Sequence, residues 1–311
     1  MAADESVSTR NGFGNGLLRE AEKREDFVVM DADLSKSTRG SWFRDEYPDQ
    51  WFNMGISEQD MFATAAGIAS TGRPVFANTF AIFAQRGFEQ IRQQIARPKR
   101  NVTVVGSHAG IITGQDGASA QAIEDISTYR GLPNMRIISP ADAVEANRYV
   151  SVLANDEDPA YLRLVRQDIP QFYKGTDYEP EVGCGDILQD GKDVTLIAHG
   201  AMVCEALKAA EILDDEDIGA RVINMSSIKP LDREMVLEAA KDTGAIVTAE
   251  DHNVVGGLGS AVAKALSEER SARVARVGVD DEFGLTGTPD ELYDHFGLTG
   301  SDIADEATEL I

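Results

Sequence analysis

Cysteine and long apolar segments are scarce in this chain. Its 311 residues include two cysteines, Cys184 and Cys204, which lie far apart and outside any C-x-x-C pair. This spacing argues against a disulfide framework and against a zinc site. No apolar run approaches the roughly 20 residues that a membrane span needs. Residues Met1 to Glu5 lack the basic and apolar regions of a signal peptide. We therefore expect a cytoplasmic protein with no membrane partner.

Positive charge is also scarce. The chain has only 29 basic residues, nine of them lysine, against 53 acidic residues, and its formal net charge is −24. The field of such a chain repels polyanions, so neither nucleic acid nor an anionic membrane is an expected partner. Acidic runs such as Asp214–Asp217 are typical of salt-adapted, halophilic proteins. Because molar salt shortens the Debye length to about 3 Å, we expect stability to depend on salt. An acidic protein of ordinary habitat is the alternative.

Short apolar segments followed by amphipathic segments recur along the chain. This alternation predicts the α/β fold class, with two α/β domains built on largely parallel sheets. A polar stretch from Gln171 to Gly191 has no periodicity and predicts a linker. We place the first domain at residues 1–172 and the second at residues 185–311. In the first domain the pattern predicts strands near residues 27–30, 75–77, 102–105, 135–138 and 161–165, and one helix from Phe80 to Ala96.

Polar and aromatic motifs follow several of these predicted strands. Asn53–Gln59 places Glu58 at the start of a helix, Asn78–Phe83 and Gly106–Gly110 each follow a strand, and Gly114–Gly117 comes soon after. The carboxyl ends of parallel strands meet at one edge of the sheet, where open α/β sheets build their sites. The glycine-rich segment Gly12–Gly16 is predicted to be a loop. No strand precedes it, as a dinucleotide-binding motif would require, so we do not assign it that role.

Taken together and in this order, the motifs between Asn53 and Pro140 resemble those of transketolases. The chain resembles the C-terminal portion in the split form, which carries the pyrimidine-binding domain and the C-terminal domain, while a separate subunit carries the diphosphate-binding domain. The resemblance extends from Ser8 to Leu298. It implies a transferase of carbohydrate metabolism, of the pentose phosphate pathway type, that moves a two-carbon ketol unit from a ketose phosphate to an aldose phosphate.

The resemblance also implies thiamine diphosphate as the cofactor. Glu58 matches the family glutamate that bonds to N1′ of the aminopyrimidine and so promotes loss of the thiazolium C2 proton. Phe83 matches the aromatic residue that packs against the pyrimidine ring, and Phe80 belongs to the same wall. Asp33 matches a family acid near the cofactor. The cofactor supplies the difficult chemistry, and the protein orients and tunes it.

Five further positions match substrate-binding residues of the family. Four of them correspond to residues that hold the phosphate and adjacent part of sugar phosphates, where a guanidinium can bond phosphate oxygens in pairs. The fifth is an aspartate that accepts a hydrogen bond from a substrate hydroxyl. The phosphate-side residues are Arg10, Ser37, His108 and Arg166, and the aspartate is Asp116.

One position departs from the family pattern. Many transketolases have a histidine where this sequence has Ala120, and that histidine binds substrate. Alanine has no side-chain donor, so a water, Gln121 or a partner residue must substitute, or the substrate range has shifted.

The family's metal-binding Gly-Asp-Gly motif is absent from the sequence. The resemblance therefore implies that a partner, the N-terminal transketolase subunit, holds Mg²⁺ and the diphosphate, in an α2β2 heterotetramer, and that this chain is inactive alone. Two alternatives stay open. One is the beta subunit of a 2-oxo acid dehydrogenase, whose substrates offer no phosphate to the Arg10 and Arg166 set. The other is a non-catalytic regulatory paralogue, which Ala120 favours and Glu58 disfavours.

Overall fold

A computed structural model of the chain describes residues 6–174, 178–269 and 272–311. Residues 1–5, assessed above for a signal peptide, and residues 175–177 of the expected linker lie outside the described residues. None of the helices in the described ranges is both long and apolar enough to cross a membrane. The strands, in chain order, are β1 (Ser6–Val7), β2 (Val28–Asp31), β3 (Trp51–Asn53), β4 (Val75–Phe80), β5 (Val102–Ser107), β6 (Arg136–Ile138), β7 (Ala160–Arg163), β8 (Ile169–Pro170), β9 (Asp186–Gln189), β10 (Val194–Ala198), β11 (Ala220–Asn224), β12 (Ser227–Lys229), β13 (Ala245–Asn253) and β14 (Arg273–Val279).

The helices lie between these strands and after the last of them. Shorter 3-10 segments occupy Pro48–Gln50, Gln85–Gly87 and Ile111–Asp116, and a π-helical segment occupies Ile91–Ala96. The α-helices are α1 (Thr9–Ala21), α2 (Ser35–Thr38), α3 (Gly40–Glu46), α4 (Glu58–Ala69), α5 (Ala81–Ala84), α6 (Phe88–Gln90), α7 (Asp125–Arg130), α8 (Ala143–Ala154), α9 (Met202–Asp214), α10 (Arg233–Asp242), α11 (Leu258–Glu269), α12 (Pro289–Phe296) and α13 (Gly300–Leu310).

Two sheets organise the molecule and confirm the predicted α/β class. The first has the strand order β12-β6-β7-β5-β4-β2-β3, and all its pairs are parallel except β12 with β6. The second has the order β14-β13-β10-β11-β9, with only β9 antiparallel to its neighbour. Strands β2 and β5 are buried along their whole length. This explains their continuous apolar runs, because helices cover both faces of a parallel sheet.

The two domains are joined through buried polar contacts as well as through the chain. Arg163 at the end of β7 is 2% exposed, and its Nε donates to the Asp125 carboxylate at 2.9 Å. Its Nη2 donates to the carbonyl of Asp251 in the second domain at 2.7 Å. The Asp251 carboxylate in turn accepts the backbone N–H of Ile111 at 2.6 Å and that of Ile112 at 3.2 Å. The second domain therefore supports the loop that follows β5.

Three local predictions were wrong. The stretch Gln171–Gly191, expected to be a linker, contains strand β9, which pairs with β11. Gly12–Gly16 lies inside helix α1 and is not a loop. Gly12 and Gly16 let α1 approach α8 closely, since a Cβ at Gly12 would lie 2.0 Å from the Ala143 carbonyl oxygen. The single helix predicted from Phe80 to Ala96 is instead a series of short α, 3-10 and π segments, and Phe80 itself ends strand β4. The apolar periodicity there reports burial and does not distinguish these helix types.

Candidate active site

The predicted site residues converge at the carboxyl edge of the first sheet. Strand β2 ends at Asp31, β4 at Phe80 and β5 at Ser107, and the three strands are neighbours in the sheet. The segments that leave these strand ends carry the motifs singled out in the sequence. The edge rule for parallel sheets therefore brings together residues that are distant along the chain.

Glu58 is the first residue of α4 and is 3% exposed. Its Oε1 accepts a hydrogen bond from Thr79 Oγ1 at 3.4 Å, which connects the carboxyl group to the end of β4. The next residue of β4, Phe80, stacks on Phe83 with ring centroids 5.4 Å apart and planes 12° apart. Both rings are half-buried. A buried carboxyl group bonded next to two stacked aromatic rings can bind a flat heteroaromatic ring, such as the aminopyrimidine expected from the sequence.

The His108 ring also stacks on Phe80. Its centroid is 3.9 Å from that of Phe80, with the planes 22° apart. Nε2 is 3.5 Å from Arg10 Nη1, and Nδ1 is 2.9 Å from Ser107 Oγ. Because a guanidinium can only donate, Nε2 is the acceptor, and Nδ1–H donates to the serine. The imidazole is therefore held neutral in one tautomer.

Three arginines surround that imidazole. Burial, and then the charges of Arg10, Arg166 and Arg39, lower the pKa of His108 to about 3. Burial and the neighbouring Arg39 and Arg166 also lower the pKa of Arg10 to about 10, while Asp168 opposes them. The Arg10 guanidinium donates to the Ser37 carbonyl at 3.1 Å. A chain of net charge −24 thus carries a local positive field at this edge.

Arg166 and Asp116 form an ion pair with each other. Arg166 Nη1 donates to Asp116 Oδ1 at 2.9 Å, and the two side chains are 35% and 37% exposed. A pair this exposed contributes at most about 1 kcal/mol. An incoming anion can therefore displace Asp116 from the guanidinium at low cost.

The structure adds residues that sequence reasoning missed. Arg39 contributes charge to the site and has a left-handed backbone, with φ of 70°. Asp33 and His108 share that conformation, with φ of 65° and 58°. Such non-glycine strain clusters at functional sites. The sequence carries no signal for it, since none of the three is glycine. Thr79 was visible only as part of the Asn78–Phe83 motif.

Asp31, at the end of β2, is a buried carboxyl group at the same edge of the sheet. Burial raises the pKa of Asp31 to about 7, although Thr38 Oγ1 and the Leu34 N–H each donate to its carboxylate at 2.6 Å. The neighbouring Asn78 is fully buried, and neither polar atom of its side chain has a hydrogen-bond partner in the described part of the chain. The two hydrogen bonds of Asp31 hold the loop that carries Asp33, Ser37 and Arg39.

Gln121 does not replace the histidine missing at position 120. Its Nε2 donates to the main-chain carbonyls of Leu285 at 2.8 Å, Gly114 at 3.2 Å and Ile111 at 3.4 Å. The side chain is 3% exposed, and its amide donor is already used. Of the substitutes expected from the sequence, a water or a partner residue remains. Within residues 6–174, 178–269 and 272–311, no group of three or more His, Cys, Asp or Glu side chains is placed to bind a metal ion.

Known families match both halves of the chain. The transketolase pyrimidine-binding domain matches residues 5–171, and the transketolase C-terminal domain matches residues 183–303. Fold, site and sequence agree: the chain belongs to the transketolase family.

Within that family, the chain resembles the C-terminal subunits of split enzymes. It is 43% identical to a Methanocaldococcus jannaschii protein named provisionally as a transketolase C-terminal section, over 96% of this chain and 95% of the relative. It is 38% identical to a 6-deoxy-6-sulfo-D-fructose transketolase subunit of a Clostridium species, over 97% of this chain and 94% of that subunit. A solved split-gene transketolase, described as an inactive β4 tetramer, matches with a TM-score of 0.90 and 45% identity over 98% of each chain.

Proposed function

We propose that this chain is one subunit of a split transketolase that moves a two-carbon ketol unit from a ketose phosphate to an aldose phosphate. The observation that carries the proposal is the buried Glu58 carboxyl group, which bonds to Thr79 next to the stacked Phe80 and Phe83 rings, at the same sheet edge as Arg10 and His108. We place the reaction in the cytoplasm, in sugar-phosphate metabolism of the pentose phosphate type.

Thiamine diphosphate, which transketolases use, would supply the nucleophilic carbon that carries the ketol unit. Glu58 would bond to a ring nitrogen of the aminopyrimidine and hold or release a proton there. Its only hydrogen bond within the described residues is the long one from Thr79, so the carboxyl group has capacity for that contact. Phe80 and Phe83 would orient the ring and exclude water from it.

Arg10 and Arg166 would bind the anionic end of the sugar. The neutral His108 imidazole accepts a hydrogen bond from Arg10 and so orients its guanidinium. Asp116, once displaced from Arg166, is free to accept a hydrogen bond from a substrate hydroxyl. A sulfonate has the same three-oxygen face as a phosphate, and the Clostridium relative is named for a sulfosugar. A sulfosugar is therefore the second candidate substrate.

The diphosphate and its Mg²⁺ would be held by the partner, an N-terminal transketolase subunit, in an α2β2 assembly. The solved relative described as inactive is a tetramer of β chains alone. By analogy, we expect no turnover from this chain without its partner.

The test is reconstitution with the partner subunit, thiamine diphosphate and magnesium. We expect ketol transfer between sugar phosphates, no transfer by the isolated chain, and no acyl product from 2-oxo acids. Glu58→Ala should lower kcat at least about 100-fold, the range of proton-transfer catalysis. Glu89→Ala, which removes an exposed carboxylate from the same domain, is the matched control. Full turnover by the Glu58 variant would exclude the proposed role, and acyl products would favour the 2-oxo acid dehydrogenase alternative.

A further inference from the structure

A cavity lies on the seam between the two domains, away from the candidate active site. It has a volume of about 630 Å³, and its walls come from helix α7 of the first domain and from β12 and α11 of the second. Binding sites for small molecules typically have volumes of about 300–1,000 Å³ and often lie at domain interfaces. None of the residues assigned to the active site lines this cavity.

The charge of this seam cavity is opposite to that of the chain. Four basic side chains line it, together with one acidic side chain, Glu268. Over the whole chain acidic residues outnumber basic ones, 53 to 29. Such a local reversal has the sign that attracts an anion. The basic residues are Arg130, Lys229, Arg233 and Lys264.

Two of these cations have no carboxylate partner. Arg130 donates to the carbonyls of Gly256 and Gly257, and Lys229 donates to those of Arg130 and Leu132. No ion pair within the described residues includes either side chain. Burial lowers the pKa of both, and the charge of Arg130 lowers the pKa of Lys229 further. The charge of Glu250 opposes the shift at Arg130 without forming an ion pair, so the two half-buried positive charges are only partly neutralised.

The other two cations are already paired at the rim. Arg233 contacts Glu269 at 2.7 Å and Glu268 at 3.5 Å, and Lys264 contacts Glu268 at 3.9 Å. The Lys264 side chain is 72% exposed, so it can turn toward a bound anion. The rim thus adds charge at the mouth, while Arg130 and Lys229 define the inner end.

An apolar surface continues from this basic end. Ile228, Ala261 and Ala265 are buried at 1%, 6% and 6% exposure and line the same cavity, with Leu231 beside them. A bare inorganic ion would leave that surface and most of the volume unused. The cavity is suited to a molecule with a doubly charged end and a less polar body.

We propose that this seam cavity binds a phosphate monoester of about nucleoside size. The phosphate would lie between Arg130 and Lys229, because the guanidinium fork and the ammonium donors match its oxygens. The organic part would lie against Ile228 and Ala261. This inference does not depend on the catalytic role of the chain.

The test is calorimetric titration of the full chain, in buffer without phosphate, with adenosine monophosphate as the probe. We expect binding that Lys229→Gln and Lys264→Glu each weaken at least tenfold. Lys264 is exposed, so its variant tests the site without a risk to folding. Lys192→Glu, the same charge change on an exposed lysine outside the cavity, should alter the affinity less than twofold. Arg166→Gln should also leave it within twofold, which excludes binding at the active site.

Three results would overturn the proposal. The first is no binding at millimolar probe. The second is an equal loss of affinity in the Lys192 and Lys264 variants, which would indicate nonspecific attraction. The third is inorganic phosphate or succinate binding as tightly as adenosine monophosphate, which would show that the apolar wall has no part or that the class of ligand is wrong.

Discussion

The Arg166 guanidinium donates to the Asp116 carboxylate at 2.9 Å, so two residues expected to bind different parts of a substrate are bound to each other. Removing the carboxylate charge should release the guanidinium for anions. We expect Asp116→Asn to bind inorganic phosphate about fivefold more tightly at low salt, from the loss of one close charge. Competition of phosphate with a sugar phosphate in the reconstituted enzyme measures this. Asp45→Asn, which removes a carboxylate from an exposed pair with Arg44 in α3, is the control. Equal effects of the two variants would contradict the assignment.

The buried imidazole predicts a pH dependence of stability. His108 has a pKa of about 3 in the folded chain and an ordinary value of 6.5 when unfolded. Between these values the unfolded chain binds a proton that the folded chain does not. The contribution of His108 to the free energy of unfolding therefore falls as the pH falls from 6.5 toward 3. Comparing pH 7 with pH 4, we expect wild type to lose up to about 3 kcal/mol more than His108→Asn.

Asparagine is the suitable replacement at this position because it tolerates the left-handed backbone of His108. Urea unfolding at both pH values gives the two differences. If the free energy of unfolding of wild type and variant changed equally with pH, the result would contradict the burial of a neutral imidazole.

The close packing of α1 on α8 predicts that a glycine-to-alanine substitution has opposite effects on stability in α1 and in α4. Gly12→Ala would place a Cβ 2.0 Å from the Ala143 carbonyl oxygen, and we expect it to cost at least about 2 kcal/mol. Gly67→Ala lies in helix α4 with no atom within 4 Å of the new Cβ, and we expect it to stabilise by about 0.5–1 kcal/mol. Denaturant unfolding of both variants is the measurement, and a change of the same sign would refute this packing of α1 on α8.

The buried ion pair between Arg163 and Asp125 in the first domain predicts a large loss of stability when it is broken. Arg163→Met would leave the fully buried Asp125 carboxylate without its arginine partner and with only the Tyr161 hydroxyl bound to it, and we expect a cost of about 3–5 kcal/mol. Arg44→Met breaks an exposed pair and should cost no more than about 1 kcal/mol. Calorimetric unfolding of both variants tests this, and similar melting temperatures would argue against a buried role for Arg163.

The acidic surface predicts that salt stabilises the fold. Molar KCl screens the repulsion among the excess of acidic groups, so we expect the melting temperature to rise steadily between dilute buffer and 2–3 M, concentrations at which the Debye length is about 3 Å or less. An uncharged osmolyte at equal concentration separates screening from a general solvent effect. Equal melting temperatures at low and molar KCl would count against salt adaptation.

The sequence was sufficient where one physical rule decides the structure. Continuous apolar runs predicted the buried parallel strands, and the edge rule then predicted that the segments of Glu58, Phe80 and His108 would lie at one edge of the sheet. It was insufficient where tertiary contacts decide. Gly12–Gly16 lies in a helix that packs against α8, and Arg39 has a left-handed backbone where α2 ends. The pairing of Arg166 with Asp116 also depends on contacts that no pattern along the chain records.

Strand β12 belongs by sequence to the second domain, yet it forms the outermost strand of the first sheet. Its pairing with β6 covers an edge whose unpaired N–H and C=O groups would otherwise invite association with other chains. A fragment that stops before residue 227 would expose that edge. The division of the chain into two domains is therefore not a division into two units that are each protected from aggregation.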